Sequence, residues 1–153
     1  MNGKVAIVMG SRSDNDIAEK AAETLRDFGI DCETFVISAH RNPHKIKKFA
    51  SSADSNGFDV IIAIAGLAAH LPGVIASLTV LPVIGIPAQS GPLNGQDALL
   101  SIVQMPPGIP VATVGIGNAK NGALLAAQIL STRYAALKDR MREFRKQFGD
   151  DES

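Results

Sequence analysis

The chain has 153 residues and a mass of 16.0 kDa, the size of one domain whose core needs no metal or disulfide to stabilise it. Fifteen basic residues balance fifteen acidic ones, which argues against a general nucleic-acid binder with a basic surface. The single cysteine, Cys32, excludes an internal disulfide and a cysteine-based zinc cluster. Because a lone thiol fits a reducing compartment and the first residues lack a secretory pattern, we expect a cytoplasmic protein.

Apolar runs of strand length alternate with segments of helical periodicity along the whole chain. Strands are predicted at residues 4–9, 31–37, 59–64, 82–86 and 109–114. Helices are predicted at residues 15–28, 43–56, 72–78, 96–103, 118–130 and 135–148. Strands that alternate with helices indicate a single doubly wound α/β domain with a parallel sheet. We expect a core at 4–132, an added amphipathic helix at 135–148 and a frayed tail at 149–153.

Residues 57–132 contain only three charged side chains, Asp59, Asp97 and Lys120. A membrane segment at 60–78 is one explanation, but His70 and Pro72 interrupt that window. A parallel sheet covered on both faces explains the pattern better, because its strands are continuous apolar runs. The remaining apolar surface predicts contacts between copies of the chain, and thus an oligomer.

The last predicted helix carries one apolar stripe formed by Leu137, Met141, Phe144 and Phe148. This stripe fits two arrangements equally well. The helix either closes its own domain or packs as an arm on a neighbouring subunit, since amphipathicity alone does not identify the covered surface.

Ligands of open α/β sheets bind at the carboxyl ends of the strands, so the loops there are the candidate sites. The loop at 10–14 follows the first strand and contains Ser11, Ser13 and Asp14 before a helix. Such a loop binds anions through backbone N–H groups and hydroxyls, or is only a turn with Asp14 or Asn15 as the helix cap. It matches neither nucleotide-binding glycine motif, which disfavours ATP and NAD.

Histidines follow the second and third strands. Ser38, His40 and Arg41 lie in one loop, which is either a plain surface loop or a site where His moves protons and Arg binds phosphate. His44 falls inside the next helix and is expected at the surface. The third loop, 65–73, combines small residues with His70, which we place at the same sheet edge as His40 although a lone histidine is more often structural. A loop at 87–95 is expected to cover this edge.

Four motifs together, at residues 9–14, 38–43, 68–73 and 97–111, resemble the N5-carboxyaminoimidazole ribonucleotide mutases, the bacterial class of the aminoimidazole ribonucleotide carboxylase family. The resemblance extends over about residues 4–130, in the same order. It implies a three-layer flavodoxin-like fold, a homo-octamer and no metal, ATP or organic cofactor. The implied reaction belongs to purine biosynthesis and moves a carboxyl group from the exocyclic nitrogen of an aminoimidazole ribonucleotide to carbon 4. No nucleic-acid or membrane partner is expected.

The resemblance also implies roles for individual residues. His40 matches the catalytic histidine, and His70 matches a pocket position to which we assign a supporting role. In the implied scheme the carbamate loses CO2, the pocket retains it, and carbon 4 attacks it. The expected substrate-contacting residues are Ser11, Ser13, Asp14, Ser38, Arg41, Gly66 and Ala68.

The chain departs from the family pattern at several positions. Ile64 and Leu67 stand where glycines are usual, Asn42 replaces a common Thr, and the segment 117–122 is about two residues shorter. These differences put the shape of the pocket in question more than the reaction. Two other functions stay open: a carboxylase that takes CO2 directly, and a non-catalytic flavodoxin-like nucleotide-binding module.

Overall fold

One parallel sheet organises the chain, and its strands follow the spatial order β2-β1-β3-β4-β5. The structure is a computed structural model that describes residues 2–149. The strands are β1 Lys4–Met9, β2 Asp31–Val36, β3 Val60–Ala65, β4 Val83–Pro87 and β5 Ala112–Thr113. This order, with every pairing parallel, confirms the expected flavodoxin-like doubly wound fold.

Helices cover both faces of the sheet and complete three layers. They are α1 Asn15–Asp27, α2 Pro43–Ser52, α3 Leu71–Ala76, α4 Gln96–Val103, α5 Ala119–Ser131 and α6 Ala135–Arg145. The helices α1, α5 and α6 share one core with the sheet, and α2, α3 and α4 share the other. Short 3₁₀ turns at Arg12–Asp14 and Lys146–Phe148 flank α1 and α6.

The central strands are apolar throughout because their side chains alternate between these two cores. In β3, Val60, Ile62 and Ile64 point to the α1 and α5 side, whereas Ile61 and Ala63 point to the α2 and α3 side. All five side chains are completely buried. A strand covered on both faces therefore explains the charge-poor half of the chain, as the sequence predicted.

Two predicted boundaries are wrong. The second helix ends at Ser52 rather than 56, because residues 53–57 form turns in which Phe58 N–H donates to the Ala53 carbonyl. The last strand pairs with β4 over only two residues instead of six. Pro110 lies in the missing part and has no N–H to donate to a ladder. The other strands and helices lie within two residues of their predicted bounds, apart from the last helix, whose end at 146–148 is the 3₁₀ turn.

The C-terminal helix packs on its own domain. Leu137 and Met141 are buried in the core that α6 shares with α1 and α5, and the ring of Phe144 lies 5.7 Å from that of Phe28. Phe148 is 70% exposed, so the predicted stripe is covered only as far as Phe144. Of the predicted tail, residues 150–153 lie outside the described residues. No helix within residues 2–149 is long and apolar enough to cross a membrane.

Candidate active site

A cleft of about 430 Å³ opens at the carboxyl ends of β1, β2, β3 and β4. It lies where the strand order reverses direction between β1 and β3, which is the expected ligand position in this fold. Four loops line it, with the following residues: 10, 11, 13 and 14 after β1, 38–41 after β2, 65–71 after β3, and 90 after β4. The four loops therefore converge on one space although they are far apart in sequence.

The loop after β1 is held by its two serines. Ser11 is the N-cap of the 3₁₀ turn and accepts from the backbone N–H of Ser13 at 3.3 Å, while the Ser13 hydroxyl donates to Ser11 Oγ at 3.0 Å. Ser11 thus caps the 3₁₀ turn. Asp14 occupies the N-cap position of α1, as one alternative expected, but its side chain makes no capping bond. Partial burial raises the pKa of the Asp14 carboxyl.

The loop after β2 is a tight turn that presents the side chains of His40 and Arg41. Ser38 Oγ accepts from the N–H of Arg41 at 3.2 Å, and the Ser38 carbonyl accepts from the N–H of Asn42 at 2.9 Å. Asn42 in turn caps α2 by accepting from the N–H of Lys45. These bonds fix the backbone on both sides of His40, while the side chains of His40 and Arg41 stay exposed in the cleft.

The two predicted histidines meet in this cleft. His40 Nε2 and His70 Nδ1 are 2.6 Å apart, and the rings stand edge to face at an interplanar angle of 84°. At this distance one hydrogen lies between the two nitrogens, so one ring donates and the other accepts. The bond leaves Nδ1 of His40 and Nε2 of His70 outside the pair. His44 lies exposed at the start of α2 and does not line the cleft, as expected.

Two of the departures from the family pattern, Ile64 near the end of β3 and Leu67 in the loop after it, lie in different surroundings. Ile64 is completely buried in the core on the α1 and α5 side, and its side chain does not line the cleft. Leu67 does line the cleft, with its backbone in the left-handed region at φ +54°. Gly66 and Ala68, which flank it, line the cleft as well.

All nine residues singled out in the sequence line this one cleft: Ser11, Ser13, Asp14, Ser38, His40, Arg41, Gly66, Ala68 and His70. Sequence reasoning named Leu67 only as a departure that affects the shape of the pocket, and it did not single out Ser90 or the apolar and glycine residues that complete the lining, Gly10, Ala39, Ala65, Ala69 and Leu71. Ser90 lies in the loop at 87–95, which was expected to cover this edge of the sheet, so its place after the fourth strand could have identified it as a lining residue. Within residues 2–149 no three His, Cys, Asp or Glu side chains are grouped closely enough to bind a metal ion.

Comparisons with known proteins point to one family. The AIR carboxylase family matches residues 4–151 of the chain. The N5-carboxyaminoimidazole ribonucleotide mutase of Pyrococcus abyssi is 57% identical over 143 residues, which cover 94% of this chain and 82% of that protein. The protein of the same name from Escherichia coli is 54% identical and covers 94% of this chain and 86% of its own.

A solved structure agrees with these sequence matches. The crystal structure of Treponema denticola PurE superimposes with a TM-score of 0.84 at 31% identity, over 97% of this chain and 95% of that one. Family, relatives and fold coincide over nearly the full length. The chain therefore belongs to the AIR carboxylase family and, within it, groups with the N5-carboxyaminoimidazole ribonucleotide mutases.

Proposed function

We propose that the cleft converts N5-carboxyaminoimidazole ribonucleotide into 4-carboxy-5-aminoimidazole ribonucleotide, with His40 as the general acid and base. The observation that carries this proposal is the His40–His70 contact of 2.6 Å in a cleft that also contains Arg41 and four serines. The relatives at 52–57% identity are named for this reaction, which places the chain in purine biosynthesis.

The polar side of the cleft suits a ribose phosphate. Arg41 offers two parallel N–H groups to phosphate oxygens, and Ser11 and Ser13 add hydroxyls at the start of a helix. The Asp14 carboxylate accepts hydrogen bonds from ribose hydroxyls, and Ser38 holds the turn that carries Arg41. Gly66 and Ala68 leave room for the imidazole ring beside the backbone.

The reaction requires one proton to be added to the substrate and one to be removed from it. When the carbamate C–N bond breaks, its electron pair returns to the exocyclic nitrogen, which takes a proton from His40, and CO2 is released. Carbon 4 then attacks CO2, and the hydrogen it carried returns to His40 as a proton. His40 ends as it began, so one imidazole serves both steps. His70 holds the His40 ring and shares its hydrogen, which makes it a positioning residue in this scheme.

We also propose that the chain is a cytoplasmic homo-octamer, on the basis of the family resemblance. The exposed apolar side chains support a subunit interface: Val80 is 93% exposed, Leu100 59% and Val103 47%. Cys32, a free thiol, suits a reducing compartment. Sedimentation at micromolar concentration tests the assembly, and a monomer there would contradict it.

A paired assay tests the reaction. One cuvette contains N5-carboxyaminoimidazole ribonucleotide without bicarbonate, the other aminoimidazole ribonucleotide with bicarbonate, and both are monitored for the 4-carboxy product. We expect fast product in the first, slow product in the second, and a loss of about a hundredfold or more with His40→Asn. Preference for the second cuvette identifies a direct carboxylase. No product in either from folded protein that still binds the ribonucleotide identifies a binding module.

A further inference from the structure

The exposed side of α2 carries three basic side chains beside the cleft. Lys45, Lys47 and Lys48 are exposed, whereas the opposite side of the helix is buried against the sheet. With Arg41 they lie in a segment, residues 34–53, that contains no acidic residue. The chain as a whole has no net charge, so its charge is separated, with a positive region at one side of the cleft. We name Lys45, Lys47 and Lys48 the lysine face.

The stability of α2 does not account for these lysines. The start of a helix has a partial positive charge, which disfavours a lysine in the first turn, and like charges three residues apart repel each other. Lys45 lies in the first turn of α2, and Lys48 follows three residues later. Within residues 2–149 no ion pair includes a side chain of the lysine face. The three charges are therefore present although they do not stabilise the helix that carries them.

Helix α6 has the opposite arrangement. Arg142 and Arg145 lie in its last turn, where the helix dipole favours cations. Arg142 Nη1 also donates to Asp139 Oδ1 at 2.9 Å. α6 packs on the other face of the sheet, and none of its residues lines the cleft. Basic side chains at a stabilising helix position thus occur away from the cleft, and those at a destabilising position occur beside it.

The helix that carries the lysine face begins directly at the cleft. Arg41 lines the cleft, and Asn42, the next residue, caps α2 by accepting from the N–H of Lys45 at 3.1 Å. A helix rises about 1.5 Å per residue, so Lys48 is only about 8 Å along the axis from the helix start at Pro43. That length is about one Debye length at physiological ionic strength. The charges of the lysine face therefore act on a ligand in the cleft without touching it.

We propose that the lysine face is an electrostatic guide that attracts the anionic ribonucleotide to the cleft; this rests on the proposed function. The substrate carries a phosphate and a carbamate, and the product carries a phosphate and a carboxylate, so both are polyanions. A group of like charges beside a cleft raises the local concentration of an oppositely charged ligand. Carboxyl transfer, with the proton exchanged with His40, leaves the total charge in the cleft unchanged. The lysine face should therefore lower KM and leave kcat as it is.

The salt dependence of KM tests the guide. The triple variant Lys45→Gln, Lys47→Gln, Lys48→Gln removes three charges and keeps side chains that favour a helix. We expect its KM to exceed that of wild type about tenfold at an ionic strength of about 0.01 M, where the Debye length is about 30 Å. At about 1 M, where the Debye length is about 3 Å, the two KM values should be equal. The kcat should not change, and the unfolding midpoint in urea should stay the same or rise, because a repulsion is removed.

A second triple variant restores the charge. Lys45→Arg, Lys47→Arg, Lys48→Arg should have the wild-type KM at every ionic strength, because a field depends on charge and not on the shape of the cation. The dissociation constant of the 4-carboxy product should follow the same pattern in all variants. This measurement is independent of turnover.

The matched control removes the same charge from α6. The variant Lys138→Gln, Arg142→Gln, Arg145→Gln changes three exposed side chains on the other face of the sheet and should keep the wild-type KM. Its unfolding midpoint should fall, because these cations favour the end of their helix. An equal rise in KM in this control would show that net charge, and not the lysine face, determines binding, and would overturn the proposal.

Three further outcomes would overturn it. The first is an equal KM of wild type and the glutamine variant at low ionic strength. The second is a raised KM that persists at about 1 M, which indicates direct contact with the ligand and not a screened field. The third is a changed sedimentation coefficient of the glutamine variant, which would make the lysine face a subunit contact. A wild type that makes no product from N5-carboxyaminoimidazole ribonucleotide refutes the proposed function instead, and the dissociation constant of the 4-carboxy product still tests the lysine face.

Discussion

The two halves of the sheet carry different kinds of residues. At the ends of β1, β2 and β3 the loops present serines, two histidines, an arginine and a carboxylate to one cleft. On the side of β4, β5 and α4 the surface is apolar, with Val80, Leu100 and Val103 exposed. The pairing differs as well, since β1 pairs with β2 over six residues and β4 with β5 over two.

The two halves are therefore expected to contribute differently to turnover and to stability. The polar side chains of the cleft are exposed or half-buried and lie on loops whose backbones are fixed by local hydrogen bonds, so we expect them to contribute little to folding. The β4–β5 half depends on close packing between β4 and α4. A substitution in the cleft should therefore reduce turnover and spare stability, and a substitution in the other half should do the reverse.

His70→Phe is expected to have the largest effect of these substitutions. It keeps a ring of similar size and removes the nitrogen that lies 2.6 Å from His40 Nε2. We expect kcat to fall about a hundredfold with an unchanged unfolding midpoint, because both rings are exposed. His44→Phe, on the exposed start of α2, is the matched control and should retain wild-type kcat. His70→Asn retains hydrogen-bonding atoms, so a kcat partly recovered relative to His70→Phe would show that His70 acts by its hydrogen bond and not by its size. A lowered unfolding midpoint in His70→Phe would contradict the expectation that substitutions in the cleft spare stability.

Gly85→Ala tests the other half of the sheet. An added Cβ on β4 would overlap Ile102 Cγ2 of α4 and lie 3.2 Å from Val111 Cγ1. Overpacking at a buried site of this kind destabilises by about 1–3 kcal/mol, measured as a lower midpoint in urea. Kinetic constants per folded molecule should not change.

Gly115→Ala is the control for that substitution. Its nearest neighbour, Asn118 Cβ, would be 3.8 Å from the added atom, which is ordinary contact. Equal destabilisation by Gly85→Ala and Gly115→Ala would show that packing between β4 and α4 is not what limits stability in this half.

The cleft could be predicted from the sequence more easily than the β4–β5 half. Patterns of apolar residues along the chain were enough to locate the cleft, because the carboxyl ends of parallel strands meet at one edge of a doubly wound sheet. They failed at β5, where the run 109–114 looks like a strand but only Ala112–Thr113 pairs with β4, and Pro110 has no N–H to donate. They also treated Ile64 and Leu67 alike. Only the direction of each side chain, into the core for Ile64 and onto Gly91 for Leu67, separates them, and that depends on two loops distant in sequence.

Arg41→Ala should weaken binding without unfolding the loop. Its backbone N–H remains bonded to Ser38 Oγ, so the turn keeps its shape when the side chain is removed. Loss of hydrogen bonds to a charged phosphate is worth about 1.5–3 kcal/mol, so KM should rise about tenfold or more. Arg12→Ala is the control, because Arg12 is also exposed but does not line the cleft. A comparable rise in KM for Arg12→Ala would contradict the assignment of the phosphate contact to Arg41 alone.

Asp14→Asn should produce the smallest effect, and it depends on pH. Partial burial raises the pKa of Asp14 above its ordinary value of 3.8, so the folded state favours the protonated carboxyl. The free energy of unfolding therefore falls as pH rises from below 3.8 through the raised value, where the folded state binds more protons than the unfolded one. The neutral amide that replaces the carboxyl in this variant avoids the loss. We expect Asp14→Asn to be more stable than wild type at neutral pH, with an advantage that shrinks as the pH falls through the raised pKa of Asp14 toward 3.8.

Urea unfolding at several pH values measures this difference, with Asp16→Asn as the control because Asp16 lies exposed in the first turn of α1. If Asp14→Asn stabilises while its affinity for the ribonucleotide drops, the carboxylate is kept at the expense of folding because it contacts substrate. A variant less stable than wild type at neutral pH would instead mean that the Asp14 carboxylate stabilises the β1 loop, and the cleft would then contribute to folding as the β4–β5 half does.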